Sequence, residues 1–259
     1  MPEQPSVAGR SASPGARLPR TPCHHECVTS SVVLIPGAGG MGWYWHLVEA
    51  ELRRRGYDAF AVDLPAADET KGLPAYADAV VVAIGDRSPV TIVAQSLAGF
   101  TAPFVWQRVP TQHVVFVNAM IPLPGETASA WWDNVGWEQA RTAAALREGY
   151  PAEFDLDVHF LHDMPAELKA VMYENEAPQS KRPFADVCAF DDWPDIPIHA
   201  VAGRDDRFFP LELQQRIVHE RLGIEGDVVP GGHLVALSRP RELSALLASY
   251  LDAMTEPRA

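Results

Sequence analysis

Residues 91 to 100 read TIVAQSLAGF. Thr91 to Ala94 are β-branched or small and apolar, the composition of a strand buried on both faces, and from Leu97 onward the residues suit a helix. Between the two stands a lone hydroxyl, Ser96. A strand that gives way to a helix at one residue makes a tight turn, which lifts that side chain clear of the sheet and aims the helix's first N–H groups at whatever approaches it. Ala94 and Ala98, two before and two after the serine, and Gly99 beyond, are small enough to let the turn close. The competing reading is an ordinary helix N-cap, so the rest of the chain must decide.

Outward from this stretch the pattern repeats. SVVLIP (31–36), DAFAVDLP (58–65), PVTIVA (89–94), HVVFVNA (113–119), IPIHAVAG (196–203) and GDVVP (226–230) read as strands. Amphipathic segments predict helices over 45–56, 73–86, 97–108, 210–222 and 234–254. Strands alternating with helices predict an α/β fold: a mostly parallel open sheet with helices on both faces. The alternation breaks over 121–193, a stretch carrying Trp131, Trp132 and Trp137. An insertion of that size between two strands predicts a small helical cap over the sheet edge where ligands bind. The expected division is a core of 31–120 and 194–259 with a cap of 121–193.

Residues 1–30 are rich in Pro, Ser, Gly and Arg and lack the apolar stretch of a secretory signal. They are expected to form a disordered tail, or to reflect an upstream start codon. Within them CHHEC gathers Cys23, His24, His25 and Cys27, but no second ligand pair follows at a finger-like spacing, so a solvated tail is expected rather than a metal site. The 259 residues suffice to bury roughly three quarters of the unfolded surface. A net charge of −13 repels phosphate backbones and anionic lipid, which argues against nucleic acid and membrane partners. No apolar run reaches the roughly 18 residues of a membrane span. Three cysteines form no disulfide framework, and a cytoplasmic location is expected.

A nucleophilic serine needs a base, and the base needs an orienting acid. After the strand IPIHAVAG comes RDDRFFP, and after GDVVP comes GGHLVALSRP. Asp206 and His233 therefore follow strands, as Ser96 does, and in a parallel sheet those strand ends share one edge. Asp205 is the competing acid, left to solvate or to cap the next helix. His46, His113, His199 and His219 lie in predicted strands or surface helices and read as structural. His159 and His162, with Asp155, Asp157 and Asp163, resemble a metal cluster in composition but match no common ligand spacing, and His162 and Asp163 are expected to brace the cap.

With IPGAGG (35–40), AQSLAG (94–99), GRDD (203–206) and GGH (231–233), the chain from Ser31 onward resembles an α/β-hydrolase. It is most similar to the compact branch of plant methyl esterases and hydroxynitrile lyases, whose first motif is followed, as here, by a glycine and a W-x-W (Trp43, Trp45). The resemblance implies Ser96 as nucleophile, His233 as base, Asp206 as the residue orienting it, and the backbone N–H groups of Ala38 and Leu97 as an oxyanion hole. It implies no cofactor and a small-molecule substrate. Pro36 replaces the histidine usual before the oxyanion glycine. Leu234 replaces the lysine that cyanohydrin-cleaving relatives carry after the histidine, which argues against a hydroxynitrile lyase. Leu97 is not the acid of a haloalkane-type enzyme. Tyr44 and the tryptophans Trp131, Trp132 and Trp137 are expected at the substrate, with an apolar or aromatic substrate group. The expected activity is a serine-dependent hydrolase of a carboxylic ester, lactone or thioester; a lyase or cyclase on the same fold, or a non-catalytic ligand-binding protein, are the alternatives.

Overall fold

The structure, a computed structural model, describes residues 31–174 and 178–253. The CHHEC segment lies outside them. In chain order the elements are β1 (Ser31–Ile35), a 3₁₀ turn (Gly42–Trp45), α1 (His46–Arg54), β2 (Asp58–Ala61), α2 (Leu73–Ile84), β3 (Val90–Gln95), α3 (Ala98–Trp106) and β4 (Thr111–Val117). There follow α4 (Ala128–Asn134), α5 (Trp137–Glu148), α6 (Leu156–His159), α7 (Ala166–Glu174) and α8 (Arg182–Ala185), and then β5 (Ile198–Gly203), α9 (Leu211–Leu222), β6 (Asp227–Val229), α10 (Val235–Ser238) and α11 (Pro240–Asp252).

The strands form one six-stranded sheet in the order β2-β1-β3-β4-β5-β6, every pairing parallel. Such a sheet must be covered on both faces, because each strand presents alternate apolar side chains to opposite sides. Val33, Ile35, Ile92, Ala94, Val114 and Phe116 pack with residues of α2, α3 and α9. Val32, Leu34, Val93, Val115 and Val117 pack on the other face with Val48 and Leu52 of α1 and Leu243, Leu247 and Leu251 of α11. The sequence predicts one helix over 234–254; the chain makes two, α10 and α11, because Pro240 has no N–H to continue the first and sits instead in the opening turn of the second. No helix among the described residues is long and apolar enough to cross a membrane.

The strand order reverses between β1 and β3: the chain leaves β1 toward β2 on one side and leaves β3 toward β4 on the other. Loops diverge at such a point and leave a crevice beyond the strand ends. Ser96 follows β3, and the turn Gly37–Gly40 follows β1, so both flank that crevice.

The helices α4 to α8 lie between β4 and β5 and are tied to the core at several places. Glu126, just before α4, forms a buried ion pair with Arg221 of α9 and also accepts from the Leu123 N–H and the Asn134 side chain. Asp186, just after α8, accepts from the Leu73 N–H and so caps α2, whose own N-cap, Gly72, has no side chain to do so. The Ser180 N–H donates to the Ala66 carbonyl at 2.8 Å.

Candidate active site

Ser96 has φ +51°, in the left-handed region that a side chain rarely enters without compensation. The turn is held by the Ser96 N–H on the Val117 carbonyl and by two N–H groups, Gly99 and Met120, on the Ser96 carbonyl. The tightest approach is at Gly99, where a Cβ would stand 2.1 Å from the Met120 carbonyl oxygen. Gly37 is nearly as constrained: a Cβ there would be 2.7 Å from the Ser96 Cβ.

The turn places the Ser96 Oγ 3.1 Å from His233 Nε2, and His233 Nδ1 lies 2.8 Å from Asp206 Oδ2. A carboxylate only accepts, so Nδ1 carries the proton and Nε2 is left to accept from the hydroxyl. Asp206 is buried, and its other oxygen accepts from the N–H groups of Phe208 and Phe209, each at 2.8 Å. Gln214 donates to the oxygen that faces His233. The imidazole is nearly enclosed, with the rings of Phe160, Phe208 and Phe209 centred 4.9 to 5.1 Å away.

Ser96 and His233 open onto a cavity of about 170 Å³ lined by Ala38, Leu97, Met120, Trp132, Phe160, Phe184, Phe208 and Leu234. A void of roughly 150 Å³ holds a benzene-sized guest. Ala38 and Leu97 line this cavity, and the N–H of neither donates to a described residue.

Of the residues expected at the substrate, Trp132 lines the cavity and the others do not. Trp131 is fully buried behind it, its Nε1 donating to the Ile121 carbonyl. Trp137 packs against Trp132 and donates to the Phe208 carbonyl. The correction is physical: α4 spans only Ala128–Asn134, and adjacent residues 131 and 132 point in different directions, so one ring meets the core while its neighbour meets the opening. Tyr44 lies beside the Gly37–Gly40 turn but does not line the Ser96 cavity. Its hydroxyl accepts from the Ala236 N–H, burial pushes its pKa well above the usual phenol range, and it borders a neighbouring cavity of about 60 Å³ that shares Ala38, Gln95 and Leu234 with the first.

Phe160, Phe184 and Phe208 are the aromatic lining that sequence reasoning did not single out. It also missed two buried amides. Gln95 accepts from the Gly37 N–H at 3.0 Å, with its nitrogen 3.5 Å from the His233 carbonyl. Asn118, at φ +44° beyond β4, donates to the carbonyls of Gly232 and His233 and accepts from the Gly203 N–H, joining the Asp206 and His233 loops. The only signal for either was its place at a strand end.

His159 is buried at the end of α6, bonded to Asp155 and beside Arg141. No group of three or more His, Cys, Asp or Glu side chains among the described residues could hold a metal. Asp163 accepts from the Gly232 N–H at 2.8 Å, so this part of the insertion braces the His233 loop rather than the insertion alone. Cys188 is buried, and desolvation pushes its thiol pKa far up, which leaves it inert.

Comparison with known proteins agrees with this architecture. Methylesterase 7 of Arabidopsis thaliana is 25% identical over 252 residues, covering 85% of this chain and 95% of that protein. Methylesterase 3 of the same plant is 28% identical over 142 residues, 48% of this chain; the match spans only about half, 54%, of that relative. The solved structure of a pyrethroid hydrolase from Sphingobium faniae JZ-2 superposes with a TM-score of 0.68 at 22% identity, covering 87% of this chain and 98% of that one, a likeness of fold. A family model described as "Alpha/beta hydrolase family" matches residues 32–246. The chain belongs to the alpha/beta hydrolase family and is similar in sequence to plant methylesterases.

Proposed function

We propose that this protein is a serine-dependent hydrolase of small carboxylic esters, working through an acyl-enzyme. The observation that carries the reading is the continuous chain of contacts from Ser96 through His233 to Asp206, beside two N–H groups with no acceptor among the described residues. His233 Nε2 takes the Ser96 proton as Oγ attacks the carbonyl carbon. Asp206 keeps the proton on Nδ1 and stabilises the imidazolium. Charge developing on the carbonyl oxygen is met by the N–H groups of Ala38 and Leu97, and each such donor contributes about 3–4 kcal/mol at the transition state. His233 then returns its proton to the departing alcohol, and water repeats the sequence on the acyl-serine.

The curated relatives named methylesterases support an ester as substrate. The insertion 121–193 acts as a cap, supplying Trp132, Phe160 and Phe184, and the cavity they enclose suits an apolar or aromatic group of about one ring. Leu234 puts no charge beside His233, which favours hydrolysis over cyanide-releasing chemistry.

The test is a set of p-nitrophenyl and aryl esters of graded size, together with labelling by a fluorophosphonate. Turnover with covalent modification of Ser96 is expected. Folded protein that neither turns over any ester nor accepts the label at Ser96 overturns the reading. In isotopically labelled water the released acid should carry solvent oxygen, whereas a lyase or cyclase need not incorporate it.

A further inference from the structure

The turn between Gly37 and Gly40 is closed by the Gly40 N–H on the Gly37 carbonyl at 3.1 Å. Three successive N–H groups, those of residues 37, 38 and 39, belong to it. The outer two are taken by side-chain amides from distant parts of the chain. Gly37 donates to Gln95 Oε1 at 3.0 Å, and Gly39 donates to Gln179 Oε1 at 2.9 Å. The middle one, that of Ala38, has no acceptor among the described residues, and Ala38 lines the Ser96 cavity.

This pattern has a consequence for geometry. The Ala38 N–H belongs to the peptide between residues 37 and 38, and the peptides on either side of it are the two whose N–H groups are held. Gly39, at φ +85°, lies in glycine's freely accessible region, so its own conformational preference does not fix the orientation of the 38–39 peptide. Gln179 supplies that restraint. Its own amide nitrogen is fixed on the Tyr76 hydroxyl at 3.0 Å and the Ser180 carbonyl at 2.8 Å. Ser180 in turn is tied to Ala66, and Phe184 of the same segment lines the cavity.

We infer that Gln179 is a positioning residue for the Ala38 amide, so that the segment 178–185 both walls the substrate cavity and sets the oxyanion site. The inference rests on the hydrolase reading above. A substrate group packed against Phe184 then favours the same seating of the segment that keeps Gln179 on Gly39.

Gln179→Met, nearly isosteric but without an acceptor, and Gln179→Glu, which keeps one, form the test. With a p-nitrophenyl ester, kcat of the Met variant is expected to fall roughly ten- to a hundredfold at nearly unchanged KM, as a misplaced group near the chemistry requires. Inhibition by phenylboronic acid, which forms a tetrahedral adduct on the serine, should weaken by a similar factor, while affinity for the product acid stays the same. The Glu variant should recover most of the loss. Unchanged kcat in the Met variant overturns the inference, as does a rise in KM alone or a loss that Glu does not recover, either of which marks a merely structural tie. Failure of the wild-type protein to hydrolyse any ester or to be labelled at Ser96 instead removes the hydrolase reading, and this inference with it.

Discussion

Asp205 and Asp206 are neighbours in the chain whose carboxylates face different partners. Asp206 meets His233 Nδ1 at 2.8 Å in a buried site, whereas Asp205 accepts from the Gly231 N–H and pairs with the exposed Arg204. The split arises because β5 ends at Gly203 and the chain turns at once, so successive side chains leave the turn in different directions. Asp206→Asn is expected to lower kcat by on the order of 10⁴, as are Ser96→Ala and His233→Ala or more. Asp205→Asn should change it only mildly. Steady-state kinetics on one aryl ester for the four variants checks this, and equal losses at 205 and 206 would refute the assignment.

Gly99→Ala should damage both stability and activity. Its Cβ would meet a backbone carbonyl that has no rotamer to retreat into, and that carbonyl belongs to the segment bonded to Ser96. Overpacking of this kind costs about 1–3 kcal/mol. Thermal unfolding and the rate of Ser96 labelling should fall together.

The Glu126–Arg221 pair joins the start of the insertion to α9, with both side chains buried. Arg221→Met leaves a buried carboxylate without its cation, and a loss of about 3–5 kcal/mol is expected in denaturant unfolding. Adding Glu126→Gln removes that stranded charge and should restore part of the loss. A double variant no better than the single would show that the charge was not the cause.

His113, on β4, is buried, and neither of its ring nitrogens has a hydrogen-bond partner among the described residues. Desolvation, with help from neighbouring His199, pulls its pKa down to about 4. The unfolded chain protonates this residue near 6.5, so between about 6.5 and 4 the unfolded state holds a proton that the native state refuses. Its contribution to stability is therefore present above about 6.5 and is lost as pH falls toward 4. His199, stacked on Tyr250 and also depressed by burial, adds to the same window. Chemical denaturation from pH 7 to 4 should show a shallower decline in His113→Leu than in the wild type.

The sheet was legible because its strands advertise themselves as short β-branched runs, and Ser96, Asp206 and His233 because each stands just past one. What the sequence could not convey was direction. Trp131 and Trp132 are chemically identical neighbours, and only three-dimensional packing puts one in the core and the other at the cavity. Gln95, Asn118 and Gln179 were illegible for another reason. Each is an uncharged amide serving backbone groups 58 to 140 residues away, and no periodicity or local spacing records such a partnership. Pro240, by contrast, was visible in the sequence, and its effect on the last helix follows from local chemistry alone.

β4 and β5 are hydrogen-bonded neighbours, with Val114 opposite Ile198. The chain thus departs from the sheet and rejoins it at adjacent positions, and everything between 121 and 193 is a detour that no ladder pairing crosses. Selection can lengthen, shorten or exchange that detour while the hydrolytic machinery beneath stays in register, provided the replacement reproduces the contacts that Glu126, Asp163, Gln179, Ser180 and Asp186 make with the core. Divergence in substrate preference among relatives should accordingly concentrate in this interchangeable stretch, and a chimera carrying a foreign one with those contacts should inherit its donor's selectivity.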